Sequence, residues 1–160
     1  MKTAEQLAKN LRDVYDGDHW TGINFKNTLQ NVDWRNASVH FQNLNSIATI
    51  SFHCTYYISA LIRVLKGEPL NAKDELSFHH PEIESETDWL KFQHKILAEA
   101  EMAAHLIEQM PDEKLWDDFS DPKYGNYYRN ISGMIEHLHY HLGQIVLINK
   151  LLVENNSDPS

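Results

Sequence analysis

The sequence is poor in cysteine, in basic residues and in residues that interrupt regular structure. A single Cys among 160 residues excludes an internal disulfide framework and a cysteine-rich zinc or iron–sulfur site. Lys and Arg number 14 against 23 Asp and Glu, so the net charge is −9 and few cations remain to neutralise nucleic-acid phosphates. With 6 Gly, 5 Pro and 42% hydrophobic residues, the composition is typical of a globular domain that does not bind nucleic acid.

The chain also lacks a long apolar run. No stretch approaches the roughly 18 consecutive apolar residues of a transmembrane helix. Residues 1–15 alternate charged and apolar side chains, which is unlike a secretory signal peptide. Together with the single thiol, these absences predict a cytoplasmic protein without a membrane partner.

Amphipathic segments are present instead, and neither an internal repeat nor a strand pattern competes with them. Helical periodicity and stop signals define four long helices and one short one. The predicted long helices are Thr3–Asp16, Asn45–Lys66, Ser85–Met110 and Asn130–Val153, and the short one is Phe25–Val32. We predict an all-α fold, a four-helix bundle forming a single domain over residues 1–153, with a polar tail at 154–160 that frays.

The connections between these helices are longer than a minimal bundle needs. They comprise Asp18–Asn43, Glu68–Glu84 and Pro111–Arg129, which are rich in turn-forming and polar residues. Long connections in a compact domain often cover a functional site. We therefore expect pocket walls from Trp20, from the rest of the first connection and from Lys123–Arg129.

The main chemical feature is a set of 10 histidines in an acidic chain. At about 100° per residue on the fourth predicted helix, His141 lies about 40° from His137, on the side of the apolar residues. His139 lies about 200° from His137 and is expected to face water. The His-x-His-x-His pattern therefore reduces to one pair of histidines four residues apart.

This pair has a spacing that suits metal binding. Residues four apart on a helix have Cβ atoms about 5–6 Å apart, so both imidazoles can reach one ion with bonds of about 2.0–2.1 Å. His53 lies in the apolar stripe of the second predicted helix and supplies a third imidazole. Three neutral nitrogens are hard to satisfy in an apolar core without a metal, and they leave open positions for catalysis. The alternative is a set of buried neutral histidines satisfied by hydrogen bonds from neighbouring helices.

The remaining histidines and the cysteine have simpler interpretations. Cys54 is turned about 100° from His53, so we expect a small buried side chain, with a ligand role as the alternative. The phosphate-binding loop, the nucleophile elbow and the His-Glu-x-x-His motif are absent. The histidines predicted to lie at the surface are His19, His40, His79, His80, His94, His105 and His139.

The segment His137-Leu-His-Tyr-His141-Leu-Gly-Gln144, with His53 on an earlier helix, resembles the DinB/YfiT-like family of metal-dependent enzymes. The resemblance implies a four-helix bundle that binds one divalent metal through the three histidines, with Gln144 as the motif glutamine. It covers the whole chain in layout, including Trp20 after the first helix. The family includes thiol-dependent transferases and proposed hydrolases, and dimers recur, so metal binding is implied more strongly than any one reaction.

We therefore expect an enzyme with one Zn²⁺ or Ni²⁺ ion that acts on a small molecule, as a thiol-dependent S-transferase or as a hydrolase. A low-molecular-weight thiol accompanies the first reaction. Tyr57 and Gln144, each one turn from a predicted ligand, are the candidate catalytic residues, through ligand orientation or substrate contact. Val146, on the side opposite His137, is consistent with a homodimer surface. The alternative class is a non-catalytic metal-binding or stress-response module.

Overall fold

The computed structural model describes residues 1–157, and its regular structure is helical. The α-helices are α1 (Thr3–Asp16), α2 (Phe25–Gln30), α3 (Trp34–Ala37), α4 (Ile47–Leu65), α5 (Glu86–Glu108) and α6 (Tyr127–Ser157). Short 3₁₀ helices at Asp74–Phe78, Asp112–Trp116 and Pro122–Tyr124 lie in the connections. Within the described residues, extended pairing is confined to an isolated bridge between Asp118 and Asn126. The all-α prediction is confirmed.

Local signals in the sequence set the ends of the long helices. The hydroxyls of Ser46 and Ser85 cap α4 and α5, and each accepts a hydrogen bond from the backbone N–H three residues on at 3.1 Å. After α4, Gly67 adopts a φ of +91°, a left-handed conformation that glycine reaches without strain and that lets the chain leave the helix. These caps explain why the observed bounds of α4 and α5 agree closely with the predicted ones.

The four long helices pack so that each contacts two of the others, in the order α1, α5, α4, α6 and back to α1. Their apolar stripes meet in the middle, as the periodicity predicts. Buried members of the predicted stripes include Leu7, Leu11 and Val14 of α1, Ile50, Leu61 and Val64 of α4, and Trp89, Ile96, Ala100 and Ile107 of α5.

Helix α4 is the most buried of the four, which bears on membrane insertion. Among residues 1–157, it is the helix that is long and apolar enough to span a membrane by length and composition. However, 67% of that apolar window is buried inside the protein. This burial is typical of the central helix of a packed core.

Helix α6 extends beyond its predicted bounds at both ends. It begins at Tyr127 rather than Asn130 and continues past Val153 to Ser157. The first part of the predicted polar tail is therefore helical, and residues 158–160 lie outside the described residues.

The buried stripe of α6 does not point in the same direction as His137. Its buried apolar residues are Tyr127, Ile131, Ile135, Leu138, Leu142, Ile145, Ile148 and Leu152. Each residue of an α-helix is rotated by about 100° around the axis from the one before it. On this basis, the mean direction of the buried side chains around the axis lies about 100° from the direction of His137. His137 and His139 therefore lie on opposite flanks of this stripe. This corrects the placement expected from the sequence: His137 and His141 are half-buried at the edge of the core rather than at its centre.

Candidate metal centre

His53 of α4 and His137 and His141 of α6 converge on one point. The Nε2 atom of His137 lies 3.1 Å from Nε2 of His53 and 3.0 Å from Nε2 of His141. Two nitrogen atoms this close can both lie about 2.0–2.1 Å from a single ion, the usual distance for zinc. One ligand atom from each residue lies within 4.8 Å of the others, so the three histidines selected from the sequence could hold a metal ion.

The 3₁₀ helix Asp74–Phe78 fixes the orientation of the His53 ring. The Ser77 hydroxyl donates to the carbonyl oxygen of Asp74 at 2.6 Å, and Ser77 Oγ lies 2.8 Å from Nδ1 of His53. Since the Ser77 hydrogen is used by Asp74, Nδ1 of His53 is the donor in the second bond. The Nε2 atom of His53 then carries a lone pair directed at the other two histidines. This tautomer is the one that metal ligation through Nε2 requires.

Gln144 does the same for His141 from within α6. Its Oε1 atom lies 2.7 Å from Nδ1 of His141, and its Nε2 atom donates to the hydroxyl of Tyr140 at 3.0 Å. An amide oxygen only accepts hydrogen bonds, so Nδ1 of His141 carries the proton. The Nε2 lone pair of His141 therefore also faces His137.

The three imidazoles of the cluster are neutral donors. Burial lowers the pKa of all three imidazoles, and His141 and His53 lower that of His137 further, to about 4. At neutral pH the three rings are therefore uncharged. With the Nδ1 protons of His53 and His141 committed elsewhere, the three Nε2 atoms share at most one hydrogen. A divalent ion satisfies all three lone pairs, so the donor set fits a metal.

Tyr57 and Asp74 lie beside the cluster. The Tyr57 hydroxyl donates to Oδ1 of Asp74 at 2.7 Å, and the centroids of the Tyr57 and His53 rings are 5.1 Å apart. Burial and the hydrogen bond to Asp74 raise the pKa of Tyr57 to about 12, so the phenol stays protonated. The negative charge of Asp74 opposes the lowering of the pKa of His53 and His137. Asp74 and Ser77 were missed by sequence reasoning, whose nearest signal was the length of the connection that contains them.

Two cavities flank the cluster, and His53 lines both. The first, about 480 Å³, is named the polar cavity for the charged side chains of Asp74 and Arg129 on its wall, and it is also lined by Tyr57, Asn130, Gly133, Met134 and His137. The second, about 420 Å³, is named the apolar cavity and is lined by Asn43, Leu44, Asn45, Ile50, Phe78, His141, Gln144, Leu147 and Ile148. Both lie in the range of about 300–1,000 Å³ that is usual for small-molecule sites.

The pocket walls expected from the sequence are only partly present. Arg129, at the end of the predicted Lys123–Arg129 wall, lines the polar cavity, and Asn43 lines the apolar one. Trp20 lines neither cavity and is fully exposed. The expectation for Trp20 is therefore wrong, because its side chain projects from the connection into solvent.

His139 also differs from the expectation that it faces water. Its ring makes an edge contact with that of His19, with 4.7 Å between centroids, and burial lowers its pKa. The cause is its position on the second flank of the buried stripe, which the connection after α1 covers. The other surface predictions hold for His40, His79, His94 and His105, which are exposed, while His19 and His80 are half-buried.

Cys54 is fully buried and takes no part in the cluster. It belongs to the apolar core, where burial raises the pKa of its thiol. The interpretation as a small buried side chain therefore fits its position.

Comparison with known proteins does not extend this picture: no family model, curated protein or solved structure matches the chain.

Proposed function

We propose that the protein is a divalent-metal-dependent enzyme on a DinB/YfiT-like four-helix bundle. His53, His137 and His141 bind one Zn²⁺ or Ni²⁺ ion in this proposal. The observation that supports it is the convergence of three Nε2 atoms, two of which have their lone pairs fixed inward by Ser77 and Gln144. The ring of helix contacts through α1, α5, α4 and α6 is compatible with the bundle.

A divalent ion at this position supplies Lewis-acid chemistry, which activates a water or thiol nucleophile near neutral pH. The residues around the ion accept a proton and hold the ligands in place. Asp74 presents a carboxylate to the polar cavity that can accept the proton of the nucleophile. Tyr57 holds that carboxylate through its hydroxyl, and Gln144 holds the His141 ring. These are the roles we assign to the two candidate catalytic residues.

The reaction is the transfer of an electrophilic group from a small molecule to water or to a low-molecular-weight thiol. The two cavities beside the histidines are large enough for such a substrate. A cytoplasmic location and a homodimer are part of the same proposal and rest on the sequence. Val146, the outward residue chosen for the dimer surface, is half-buried in the single chain.

Metal dependence of turnover tests the proposal. The chain would be purified without a polyhistidine tag, stripped with a chelator and reloaded with Zn²⁺ or Ni²⁺. Hydrolysis of p-nitrophenyl acetate and alkylation of a small thiol would then be measured for wild type, His137→Ala and His139→Ala. His139 is the matched control, because it lies on the same helix between two proposed ligands yet contacts His19 instead.

We expect turnover that disappears on chelation, returns with metal, is lost in His137→Ala and is retained in His139→Ala. Turnover that survives chelation, or that falls equally in both variants, would contradict the proposed site. Tight metal binding without turnover of either substrate class would instead favour the non-catalytic module.

A further inference from the structure

Arg129 is the cation of the polar cavity, and the described carboxylates leave its charge unmatched. Among residues 1–157, no carboxylate lies within ion-pair distance of its guanidinium. Two other donors of the cavity wall are committed, since the Tyr57 hydroxyl donates to Asp74 and the Asn130 amide donates to the carbonyl oxygens of Tyr124 and Asn126. Arg129 is therefore the charged donor of this wall that is available to a ligand acceptor.

The charged groups near Arg129 determine which kind of anion the cavity can bind. A guanidinium presents parallel N–H groups that match a carboxylate in a two-pronged hydrogen bond. Asp74 lines the same cavity, and the chain carries a net charge of −9. Among the side chains that line the cavity, Arg129 balances the single charge of a carboxylate, whereas a phosphate dianion needs a second cation that these side chains do not supply. The polar cavity therefore favours a carboxylate.

The apolar cavity has a different chemistry. Leu44, Phe78 and Leu147 line it and remain exposed, Leu147 to 56%. Covering apolar surface of this kind favours binding, because it removes that surface from water. Its polar members, Asn43, Asn45 and Gln144, are uncharged. The cavity therefore suits an aliphatic or aromatic group rather than a second ion.

The two cavities share the histidine cluster as a common wall. His53 lines both, His137 lines the polar one and His141 the apolar one. A ligand that occupied both cavities would lie against these three histidines. We propose that the substrate is an apolar monocarboxylate, held at its carboxylate by Arg129 and at its body by the apolar cavity, with the reacting bond between them. This inference rests on the proposed function, because it places the reacting bond at the proposed metal centre.

Binding of simple carboxylates tests the proposal without an activity assay. Acetate, hexanoate and hexanamide would be titrated by NMR into zinc-loaded wild type, Arg129→Gln and Lys123→Gln. Lys123 is the matched control, because it is a cation on the preceding segment that pairs with Asp121 and lines neither cavity. Both residues are exposed, so both variants should fold, which circular dichroism would check.

We expect Arg129→Gln to weaken hexanoate binding about tenfold, the effect of losing a charge-assisted hydrogen bond, and to leave hexanamide unchanged. Lys123→Gln should bind all three ligands as wild type does. Hexanoate affinity unchanged in Arg129→Gln, or reduced equally in the two variants, would overturn the carboxylate assignment.

The assignment of the apolar cavity is tested by the chain length of the carboxylate ligand and by Leu147→Asn, with Leu90→Asn as the control. Leu90 is similarly exposed but lies on α5 and lines neither cavity. Wild type should bind hexanoate more tightly than acetate, and Leu147→Asn should remove part of this difference while Leu90→Asn does not. Equal affinity for acetate and hexanoate in wild type would overturn the assignment of the apolar cavity.

The zinc content of every sample separates this inference from the proposed function. Zinc-loaded Arg129→Gln that binds hexanoate as wild type does overturns the carboxylate proposal and leaves the metal site intact. Wild type that retains no zinc contradicts the metal site itself, and with it the inference.

Discussion

Nδ1 of His141 donates a hydrogen bond to Oε1 of Gln144 at 2.7 Å, within a single turn of α6. This contact determines which nitrogen of His141 is free to bind a ligand. With the proton on Nδ1, the Nε2 lone pair faces Nε2 of His137 at 3.0 Å. Gln144 therefore positions a ligand, and its contribution to metal affinity can be measured separately from that of the histidines.

Replacing Gln144 by Leu should weaken zinc binding by about 10- to 100-fold, the usual effect of losing a partner that orients a ligand. Competition with a chromophoric chelator would measure the affinity. Tyr140→Phe is the control, because it removes the hydroxyl beyond Gln144 and leaves the bond to His141 in place. Equal affinity in wild type and Gln144→Leu would mean that the His141 ring is held by packing alone.

Replacing Ser77 by Ala should destabilise the metal-free protein by about 1–3 kcal/mol, since it leaves Nδ1 of buried His53 without an acceptor. Urea denaturation monitored by circular dichroism would measure this. Ser38→Ala is the matched control, because the Ser38 hydroxyl is buried without a hydrogen-bond partner and its loss should cost little. Comparable losses of stability in both variants would argue against a specific role for Ser77.

The thiol of Cys54 should be inert in the folded protein. It is fully buried, and burial raises its pKa, so little thiolate exists at mildly alkaline pH. Ellman's reagent should therefore release no chromophore from the native protein and one equivalent after unfolding in guanidinium chloride. Rapid reaction of the native protein would show that Cys54 is accessible, and would reopen its role as a ligand.

Asp112 should make stability depend on pH through the first turn of α1. Its carboxylate accepts hydrogen bonds from the backbone N–H groups of Ala4 and Thr3, which lower its pKa. A lowered folded-state pKa stabilises the protein above the unfolded value of about 3.9, and this contribution is lost as pH falls through the folded value.

The melting temperature of Asp112→Ala should accordingly lie below that of wild type at neutral pH, and the difference should shrink below about pH 4. Glu113→Ala, at the next residue, is the control, because Glu113 makes no described bond to α1. A difference that stays constant into the acid range would contradict the electrostatic origin of the effect.

The sequence predicted the four long helices and the pairing of His137 with His141 because both depend on local rules, whereas the short α3 was not predicted. A serine cap and Gly67 mark the ends of α4, and the helical period places His137 and His141 on one side of α6. These features need no knowledge of neighbouring elements.

What the sequence did not predict depends on tertiary contacts. Asp74 and Ser77 reach the cluster because their 3₁₀ helix packs on α4, a placement that no local pattern encodes. His139 is half-buried because the centre of the buried stripe lies between it and His137, and the apolar residues of α6 alone do not show which helices cover each flank. Trp20 is exposed for the same reason: helical periodicity gives no direction to a side chain in an irregular connection.

Zinc binding to single alanine variants tests the central claim most directly. Metal-free wild type, His53→Ala, His137→Ala, His141→Ala and the control His139→Ala would be titrated with Zn²⁺, and the stoichiometry and affinity measured. We predict one tightly bound ion per chain in wild type and in His139→Ala, and a loss of affinity in each of the other three variants. Wild type that binds no zinc, or a His137→Ala variant that binds it as tightly as wild type, would contradict the account.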